Sequence, residues 1–225
     1  MNLDVVRRAP LFATLDDADA AEVMATMTPV RMERGDVLFN EGDQGDRLYV
    51  ITEGKIKLGR SSTDGRENLL AILGPSEMLG ELSLFDPGAR TATATAVAET
   101  QLIGLGNEQL SQLLGAHPRI AGTLLSALAR RLRRTNENLA DLVFTDVPGR
   151  VAKALLELSQ RFGRPVEDGV MVAHDLTQEE LAQLVGASRE TVNKALADFA
   201  QRSWLRLEGK SVIILDRERL ARRAR

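Results

Sequence analysis

The most constraining feature of the sequence is the stretch from about Pro118 to Phe144, in which apolar residues recur at helical spacing. Leucines occupy positions 125, 128, 132, 139 and 142, and Thr135 fills the missing step of a 3-4-3-4-3 pattern. This is the a/d spacing of a two-stranded coiled coil, in a helix about 40 Å long at about 1.5 Å per residue. We therefore predict a spine that pairs two copies of the chain. A long core helix is the alternative, since the pattern covers only about three heptads.

The polar break in this pattern marks a position where binding is expected. Thr135 and the adjacent Asn136 offer hydrogen-bond donors and acceptors where a pair of helices would otherwise hold leucine. Because buried polar groups need hydrogen-bond partners, we expect something to bind there.

Composition is typical of a globular protein with two domains. The 225 residues are 44% apolar and 27% charged, which is enough for two modest cores. The absence of cysteine removes disulfides, thiolate zinc sites and cysteine-bound iron–sulfur clusters. The sequence has neither a transmembrane-length apolar run nor a secretory h-region, so we expect a soluble, cytoplasmic protein that does not enter a membrane.

Charge is distributed unevenly along the chain. From Gly149 onward there are 14 lysines and arginines against 11 acidic residues, and before it there are 15 against 21. A mildly basic C-terminal part favours local contact with DNA, whereas the acidic remainder favours a separate sensing module.

The region between Pro29 and about Ile103 has the pattern of a β-rich domain. Runs of strand length, RLYVIT, KIKLG, ENLLAIL and RTATATAV, are separated by turns such as Glu53-Gly54 and Asp64-Gly65. Many short strands at this spacing predict a sandwich or a barrel-like roll. Short helices are expected before this region and directly after it.

A second informative stretch, DLTQEELAQLVGASRETVNKALADF, predicts a helix-turn-helix. Thr177 and Glu180 have the spacing of a capping box for a first helix, Gly186 suits the turn, and Ser188 can cap a second helix. An ordinary helical hairpin is the alternative.

The start of the second helix carries the side chains that we expect to read DNA. With Ser188 as the cap, Arg189, Glu190 and Lys194 lie in the first turns, the end that enters a major groove. Arginine pairs with guanine, glutamate accepts from cytosine N4, and lysine reaches guanine or phosphate. A solvated ion pair between Glu190 and Lys194 is the alternative. Further on, SWLRLEGKSVIILD predicts a hairpin wing with Lys210 near its tip, and the basic tail ARRAR is expected to be solvated.

The domain boundaries follow from proline and from these patterns. The spine is expected to end near Asp146, because Pro148 disfavours helix at Val147. Another helix and a polar loop, GRPVEDG, should follow. We assign residues 1–115 to the β-rich domain, residues 116–145 to the dimerisation helix and residues 146–225 to the DNA-binding domain.

The stretch LGELSLFDPGART has the composition of a phosphate and ribose site. Gly80 allows close backbone approach, Ser83 and Thr91 add hydroxyls, and Arg90 adds a cation that can pair with phosphate. The carboxylate of Glu81 would repel a phosphate, but it can accept a hydrogen bond from a ribose hydroxyl. A β-turn with a surface ion pair is the alternative.

Taken in order, these motifs resemble the CRP/FNR superfamily of transcription regulators. The β-roll with GELSLFDPGART, the long helix with RRTNENLADL, the VPGR hinge and SRETVNKAL are most similar to cyclic-AMP receptor proteins of the GlxR type. The resemblance implies an α+β fold: a cyclic-nucleotide-binding β-roll of the jelly-roll type, a long dimerisation helix and a C-terminal winged helix-turn-helix. It also implies a homodimer that binds cyclic AMP as an allosteric ligand, without a cofactor or metal, and that binds palindromic double-stranded DNA and contacts RNA polymerase.

The resemblance further implies roles for individual residues. The cyclic-AMP site would comprise Gly80, Glu81, Leu82, Ser83, Arg90, Thr91, Thr135 and Asn136, with Arg131 paired to Glu81 behind it. In this arrangement Thr135 would meet the adenine from one subunit and Asn136 from the other, and the bound ligand would shift the orientation of the DNA-binding heads. The DNA contacts, to TGTGA-like half-sites, would come from Thr177, Gln178, Ser188, Arg189, Glu190, Thr191, Lys194 and Lys210.

Two positions depart from the pattern of the family. Asn136 stands where the best-known relative has serine, which leaves the choice between cyclic AMP and cyclic GMP open. Lys194 stands where arginine is common, and a lysine lacks the bidentate fork that selects guanine.

Three other functions are alternatives to this one. A gas or redox sensor would have to use His117 or His174, the only imidazoles. An enzyme has no nucleophile motif, P-loop or metal-ligand spacing to support it. A regulator of the same fold that binds DNA largely without ligand stays open.

Overall fold

The β-rich pattern folds into two antiparallel sheets. The computed structural model describes residues 3–62, 67–86 and 88–224 and omits the side chains of Leu3 and Leu84. The strands of this region are β1 (Thr28–Met32), β2 (Val37–Phe39), β3 (Arg47–Glu53), β4 (Ile56–Ser61), β5 (Glu67–Leu73), β6 (Met78–Leu79), β7 (Thr93–Ala96) and β8 (Thr100–Gly106). One sheet has the order β1-β8-β3-β6 and the other β2-β7-β4-β5. The roll predicted from the sequence is confirmed, while the turn predicted at Asp64-Gly65 lies outside the described residues.

Helices cover one face of the first sheet. They are α1 (Leu3–Arg7), α2 (Asp17–Thr26) and α4 (Asn107–Ala116), whereas the short α3 (Leu82–Phe85) lies between β6 and β7 in the chain. Side chains alternate across β3, so that Leu48 and Val50 pack with the helical layer and Ile51 packs between the two sheets. Because of this alternation, the β-rich domain has a hydrophobic core on each side of the first sheet.

The predicted spine is a single helix, α5, which spans Arg119–Phe144. Its first turns are anchored, because Ile120 and Leu124 are buried in the helical core. The hydroxyl of Thr123 also donates to the backbone oxygen of Pro10 over 2.7 Å. Beyond these turns the apolar residues of α5 are mostly exposed.

The second half of the chain is a winged helix-turn-helix, as predicted. Its elements are α6 (Val147–Phe162), β9 (Gly163–Val166), β10 (Gly169–Ala173), α7 (Gln178–Val185), α8 (Arg189–Gln201), β11 (Leu205–Glu208), β12 (Ser211–Ile214) and α9 (Arg217–Arg223). The sheet has the order β11-β12-β10-β9. The described chain divides into two compact units, residues 1–61 with 70–133 and residues 62–69 with 134–225. The domain boundaries given above stay predictions.

Three local expectations were wrong. The stretch GRPVEDG is a hairpin of β9 and β10 rather than a loop, and Pro165 is tolerated because β9 is an edge strand. Val147 is helical, because Pro148 lies in the first turn of α6, where a missing N–H is no loss. Part of the C-terminal tail belongs to α9, which docks through the fully buried Leu220.

Candidate ligand cleft and nucleic-acid interface

A cleft of the first unit collects the side chains predicted to bind phosphate and ribose. It has an empty volume of about 440 Å³, part of which is open to solvent. Its walls come from β2, the β6–α3 junction, the residues before β7 and α5. They include Phe39, Gly80, Glu81, Leu82, Ser83, Arg90, Thr91 and Arg131.

Gly80 makes room for the cation of the cleft. Its φ of +82° lies in the left-handed region that favours glycine. A Cβ atom here would lie 2.5 Å from Nη1 of Arg90 and 2.9 Å from the backbone oxygen of Arg47. A larger residue would therefore displace the guanidinium.

Arg90 is held inside the protein rather than on its surface. Only 5% of the residue is exposed. Its Nη1 donates to the backbone oxygen of Gly80 over 2.9 Å, and its Nη2 donates to that of Arg47 over 2.8 Å. Burial lowers the pKa of the guanidinium from its ordinary value. The Nε atom is buried with no hydrogen-bond partner among the described residues.

Glu81 is the matching buried anion. The residue is 2% exposed, and its Oε1 accepts a hydrogen bond from Nη1 of Arg131 over 2.7 Å. Its Oε2 is buried and accepts no hydrogen bond within the described part of the chain. A buried carboxylate oxygen of this kind requires a donor, because leaving it unpaired is costly. The cleft thus holds one unsatisfied acceptor and one unsatisfied donor.

The remaining predicted residues of the cleft differ in their exposure. Ser83 is buried, and its Cβ lies so close to Gly45 that a Cβ at position 45 would be 2.2 Å away. Thr91 and Leu82 are exposed at the mouth. Thr135 and Asn136 are exposed on α5, four and five residues beyond Arg131. The contact between Arg131 and Glu81 is present as predicted, whereas the roles of all these residues stay predictions.

Sequence reasoning missed Phe39 in this cleft. The guanidinium carbon of Arg90 lies 4.3 Å from the centroid of the Phe39 ring. The ring of Tyr49 stacks on Phe39 at a centroid distance of 6.3 Å. No spacing rule connects positions 39 and 90, because the contact depends on the pairing of β2 with β7.

The coiled-coil pattern of α5 is apolar and exposed. Leu125, Leu132, Leu139 and Leu142 are 66%, 61%, 57% and 50% exposed, and Leu128 is partly buried. Helices that cover a core normally bury such a stripe. The exposure therefore argues against the alternative of a core helix.

The caps of the helix-turn-helix are present as predicted. The Thr177 hydroxyl accepts from the Glu180 N–H over 3.1 Å, and the Glu180 carboxylate accepts from the Thr177 N–H over 2.7 Å. Gly186 ends α7 with a φ of +64°. Ser188 caps α8 by accepting from the N–H of Thr191. These bonds fix where α8 begins and hence which side chains its first turn presents.

The side chains predicted to contact DNA all lie on the surface of the second unit. These exposed residues are Thr177, Gln178, Ser188, Arg189, Glu190, Thr191, Lys194 and Lys210. Nζ of Lys194 lies 2.7 Å from Oε1 of Glu190, with both side chains more than 70% exposed. The ion pair that was the alternative is thus present. It does not oppose base reading, since a surface pair of this kind is weak.

One arginine links the end of α5 to the turn of the helix-turn-helix. Arg150 donates from Nη1 to the backbone oxygen of Thr145 over 2.6 Å and from Nε to that of Val185 over 2.8 Å. Its Nη2 donates to the backbone oxygen of Gly186 over 3.1 Å. In the sequence, Arg150 stands out only as part of the VPGR motif, and nothing there indicates these three contacts.

The two histidines have structural partners. His174 is buried, and its Nδ1 accepts from the N–H of Leu176 over 3.1 Å. Nδ1 of His117 lies 3.4 Å from Oδ2 of Asp19. No helix in the described part of the chain is long and apolar enough to cross a membrane.

Comparison with known proteins adds family information to this geometry. A model described as a cyclic nucleotide-binding domain matches residues 29–117, and one described as a Crp-like helix-turn-helix domain matches residues 149–223. A Mycobacterium tuberculosis protein named CRP-like cAMP-activated global transcriptional regulator is 58% identical over 222 residues, 99% of each chain.

Two solved structures are also similar. The Thermus thermophilus catabolite activator protein has 35% identity and a TM-score of 0.55, over 96% of this chain and 98% of that chain. The Xanthomonas campestris regulator CLP, described as c-di-GMP responsive, has 27% identity and a TM-score of 0.76, over 88% of this chain and 99% of that chain.

Proposed function

Since the chain belongs to the CRP/FNR superfamily of transcription regulators, we propose that cyclic AMP binds in the cleft of its first unit and controls its binding to DNA. The chain is a DNA-binding transcription regulator with a cyclic-nucleotide-binding domain, and its relatives are regulators rather than enzymes. The identity of the ligand, the dimer and the operator belong to the proposal.

The observation that carries the proposal is the pair of unsatisfied buried atoms in the cleft. Oε2 of Glu81 needs a hydrogen-bond donor, and Nε of Arg90 needs an acceptor. A ribose hydroxyl is a neutral donor and a phosphate oxygen is an anionic acceptor, so a nucleotide supplies both. The buried hydroxyl of Ser83 adds a second donor to the phosphate. A ligand with phosphate alone would leave the Glu81 oxygen unpaired.

The exposed stripe of α5 supports a homodimer. Its leucines repeat at a/d spacing over residues 125–142, so a second copy of the same helix buries the stripe by forming the same seam. Thr135 falls at a d position of that seam, where the helices of the two copies meet. We infer that the adenine of the ligand contacts Thr135 there, with Asn136 contributed by the second subunit.

The second unit supports sequence-specific DNA binding. The caps at Thr177 and Ser188 place Arg189, Glu190 and Lys194 on the first turns of α8, all exposed. In a major groove these side chains can read guanine and cytosine edges of a TGTGA-like half-site. Lys210 in the turn of the wing is suited to contact phosphate, and RNA polymerase is the expected protein partner at the promoter.

The direct experiment measures affinity for a palindromic TGTGA-like operator with and without cyclic AMP. We expect at least tenfold tighter binding with cyclic AMP at a fixed salt concentration, since phosphate contacts make affinity depend on salt. Equal affinity would indicate a regulator whose DNA binding is independent of the ligand. Cyclic GMP and c-di-GMP serve as competing ligands, because an amide at position 136 can pair with either purine, and a stronger response to either would replace cyclic AMP in the proposal.

A further inference from the structure

We propose that Phe39 positions the guanidinium of Arg90 for the ligand phosphate by a cation–π contact, and so sets the affinity of the cleft for the anionic part of the ligand. This inference rests on the proposed function. It concerns a residue outside the GELSLFDPGART stretch, on a different strand.

The first step of the argument is the state of the Arg90 side chain. Its two terminal nitrogens are already bonded to the backbone oxygens of Gly80 and Arg47, at 2.9 and 2.8 Å. Only Nε is left without a partner among the described residues. Each terminal nitrogen keeps a second N–H beside the unpaired Nε donor, so the directions of the donors left for a ligand depend on how the guanidinium is oriented. A hydrogen bond weakens steeply when misaligned.

The second step is what fixes the plane of the guanidinium. The hydrogen bonds to the backbone oxygens of Gly80 and Arg47 hold the two terminal nitrogens, and a ring packed against the guanidinium restricts the motion that is left. The Phe39 ring supplies this surface, with the guanidinium carbon 4.3 Å from its centroid, within the range of a cation–π contact. The ring is itself supported by Tyr49, which stacks on it.

The third step is the charge of the site. Arg90 is 5% exposed, and its nearest carboxylate oxygen across an ion pair is Oδ1 of Asp46 at 4.0 Å. A buried cation loses hydration, and a cation–π contact is stronger where water is excluded. The ring therefore offsets part of the hydration that the cation loses, without placing a further carboxylate against the guanidinium.

The experiment compares cyclic AMP with adenosine, which has the same nucleoside and no phosphate. Affinities of wild type, Phe39→Leu and Phe39→Tyr are measured by calorimetry or NMR titration. We expect Phe39→Leu to lower the affinity for cyclic AMP about 5- to 30-fold, because this is the contribution of a desolvated cation–π contact. The affinity for adenosine should fall less than twofold. Phe39→Tyr keeps the ring and should stay within about threefold of wild type for cyclic AMP. Leu38→Val, a neighbouring core position on β2, is the matched control and should change neither affinity.

The outcomes separate the inference from the proposed function. If Phe39→Leu lowers the affinities for cyclic AMP and adenosine equally, Phe39 contacts the nucleoside and the inference is wrong. It is also wrong if Phe39→Leu binds cyclic AMP as wild type does. If wild type itself does not bind cyclic AMP, the proposed function fails first. Circular dichroism and thermal unfolding of each variant show whether it is folded, and a variant that unfolds is replaced by Phe39→Met, for which the same selective loss is expected.

Discussion

Arg131 on α5 and Glu81 at the start of α3 are joined by a hydrogen bond of 2.7 Å between Nη1 and Oε1. The arginine side chain is 38% exposed and the glutamate side chain 3% exposed, so the hydrogen bond brings a cation from near the surface to a buried anion. The bond ties the long helix to the floor of the cleft, within one compact unit.

Replacing Arg131 by glutamine should destabilise the protein. The buried Glu81 carboxylate loses its cation, and we expect about 1–3 kcal/mol of lost unfolding free energy, discounted for the partial exposure of the arginine. Urea unfolding at neutral pH measures it. The double variant with Glu81→Gln should recover part of the loss, because no buried charge is left uncompensated. A loss equal in the single and double variants would contradict the expected coupling.

Replacing Arg90 by leucine should weaken cyclic AMP binding. The phosphate loses a charge-assisted hydrogen bond, worth about 1.5–3 kcal/mol or about 10- to 100-fold in affinity. Calorimetry measures the affinity, and circular dichroism checks that the variant is folded. Arg60→Leu is the control, because Arg60 pairs with Glu41 at the surface. Unchanged affinity in Arg90→Leu would remove the pocket assignment.

Replacing Leu139 by aspartate should produce monomers. The side chain is 57% exposed in the single chain, so its own unit should stay folded, while a charge at an a position opposes the seam. Analytical ultracentrifugation measures the mass. Glu137→Lys, at an f position facing away from the seam, should leave the dimer intact. A dimeric Leu139→Asp protein would count against the α5 interface.

Replacing Glu190 by alanine should relax selectivity at one base pair of the operator. Loss of an acceptor for cytosine N4 should reduce discrimination there by about 1–3 kcal/mol, with little effect at other positions. Titrations against operators that differ at that pair test this. Asp198→Ala, which removes the other acid of α8 and its pair with Arg202, is the control. Equal discrimination by wild type and Glu190→Ala would show that Glu190 only pairs with Lys194.

The contact between Arg223 and Asp146 should make the free energy of unfolding depend on pH in the acid range. A hydrogen bond from Arg223 lowers the pKa of Asp146. An acid whose pKa is lowered by folding stabilises the fold above its unfolded pKa, about 3.9, and loses that stabilisation as pH falls through the folded value.

Arg223→Gln should therefore be less stable than wild type at pH 5 to 7, by about 1 kcal/mol or less for so exposed a pair. The two proteins should converge in stability as pH falls through the folded pKa of Asp146. Urea unfolding at several pH values measures this. Arg217→Gln removes the same charge from an exposed position of α9 that is in none of the ion pairs of the described residues, and it should show no such convergence.

Local features were predictable from the sequence because short-range rules govern them. The capping box of Thr177 and Glu180, the turn at Gly186 and the length of α5 all follow from caps, glycine and periodicity. The strands of the roll follow from their spacing. The phosphate motif was also visible, since its residues lie within a dozen positions of one another.

Features that depend on tertiary packing were not predictable. Phe39 meets Arg90 only because β2 pairs with β7, and the tail becomes α9 only because Leu220 finds a buried site. GRPVEDG reads as a polar loop, yet β10 gives it a partner strand. In each case a long-range contact overrides a weak local pattern.

The three carbonyl bonds of Arg150 have a mechanical consequence for the second unit. The guanidinium of Arg150 donates hydrogen bonds to the carbonyl oxygen that follows α5 and to the two carbonyl oxygens that end α7. Movement of one of these segments relative to the others therefore strains a hydrogen bond to Arg150. The backbone that follows α5 and the end of α7 are thus tied to one guanidinium on α6, which opposes their separation.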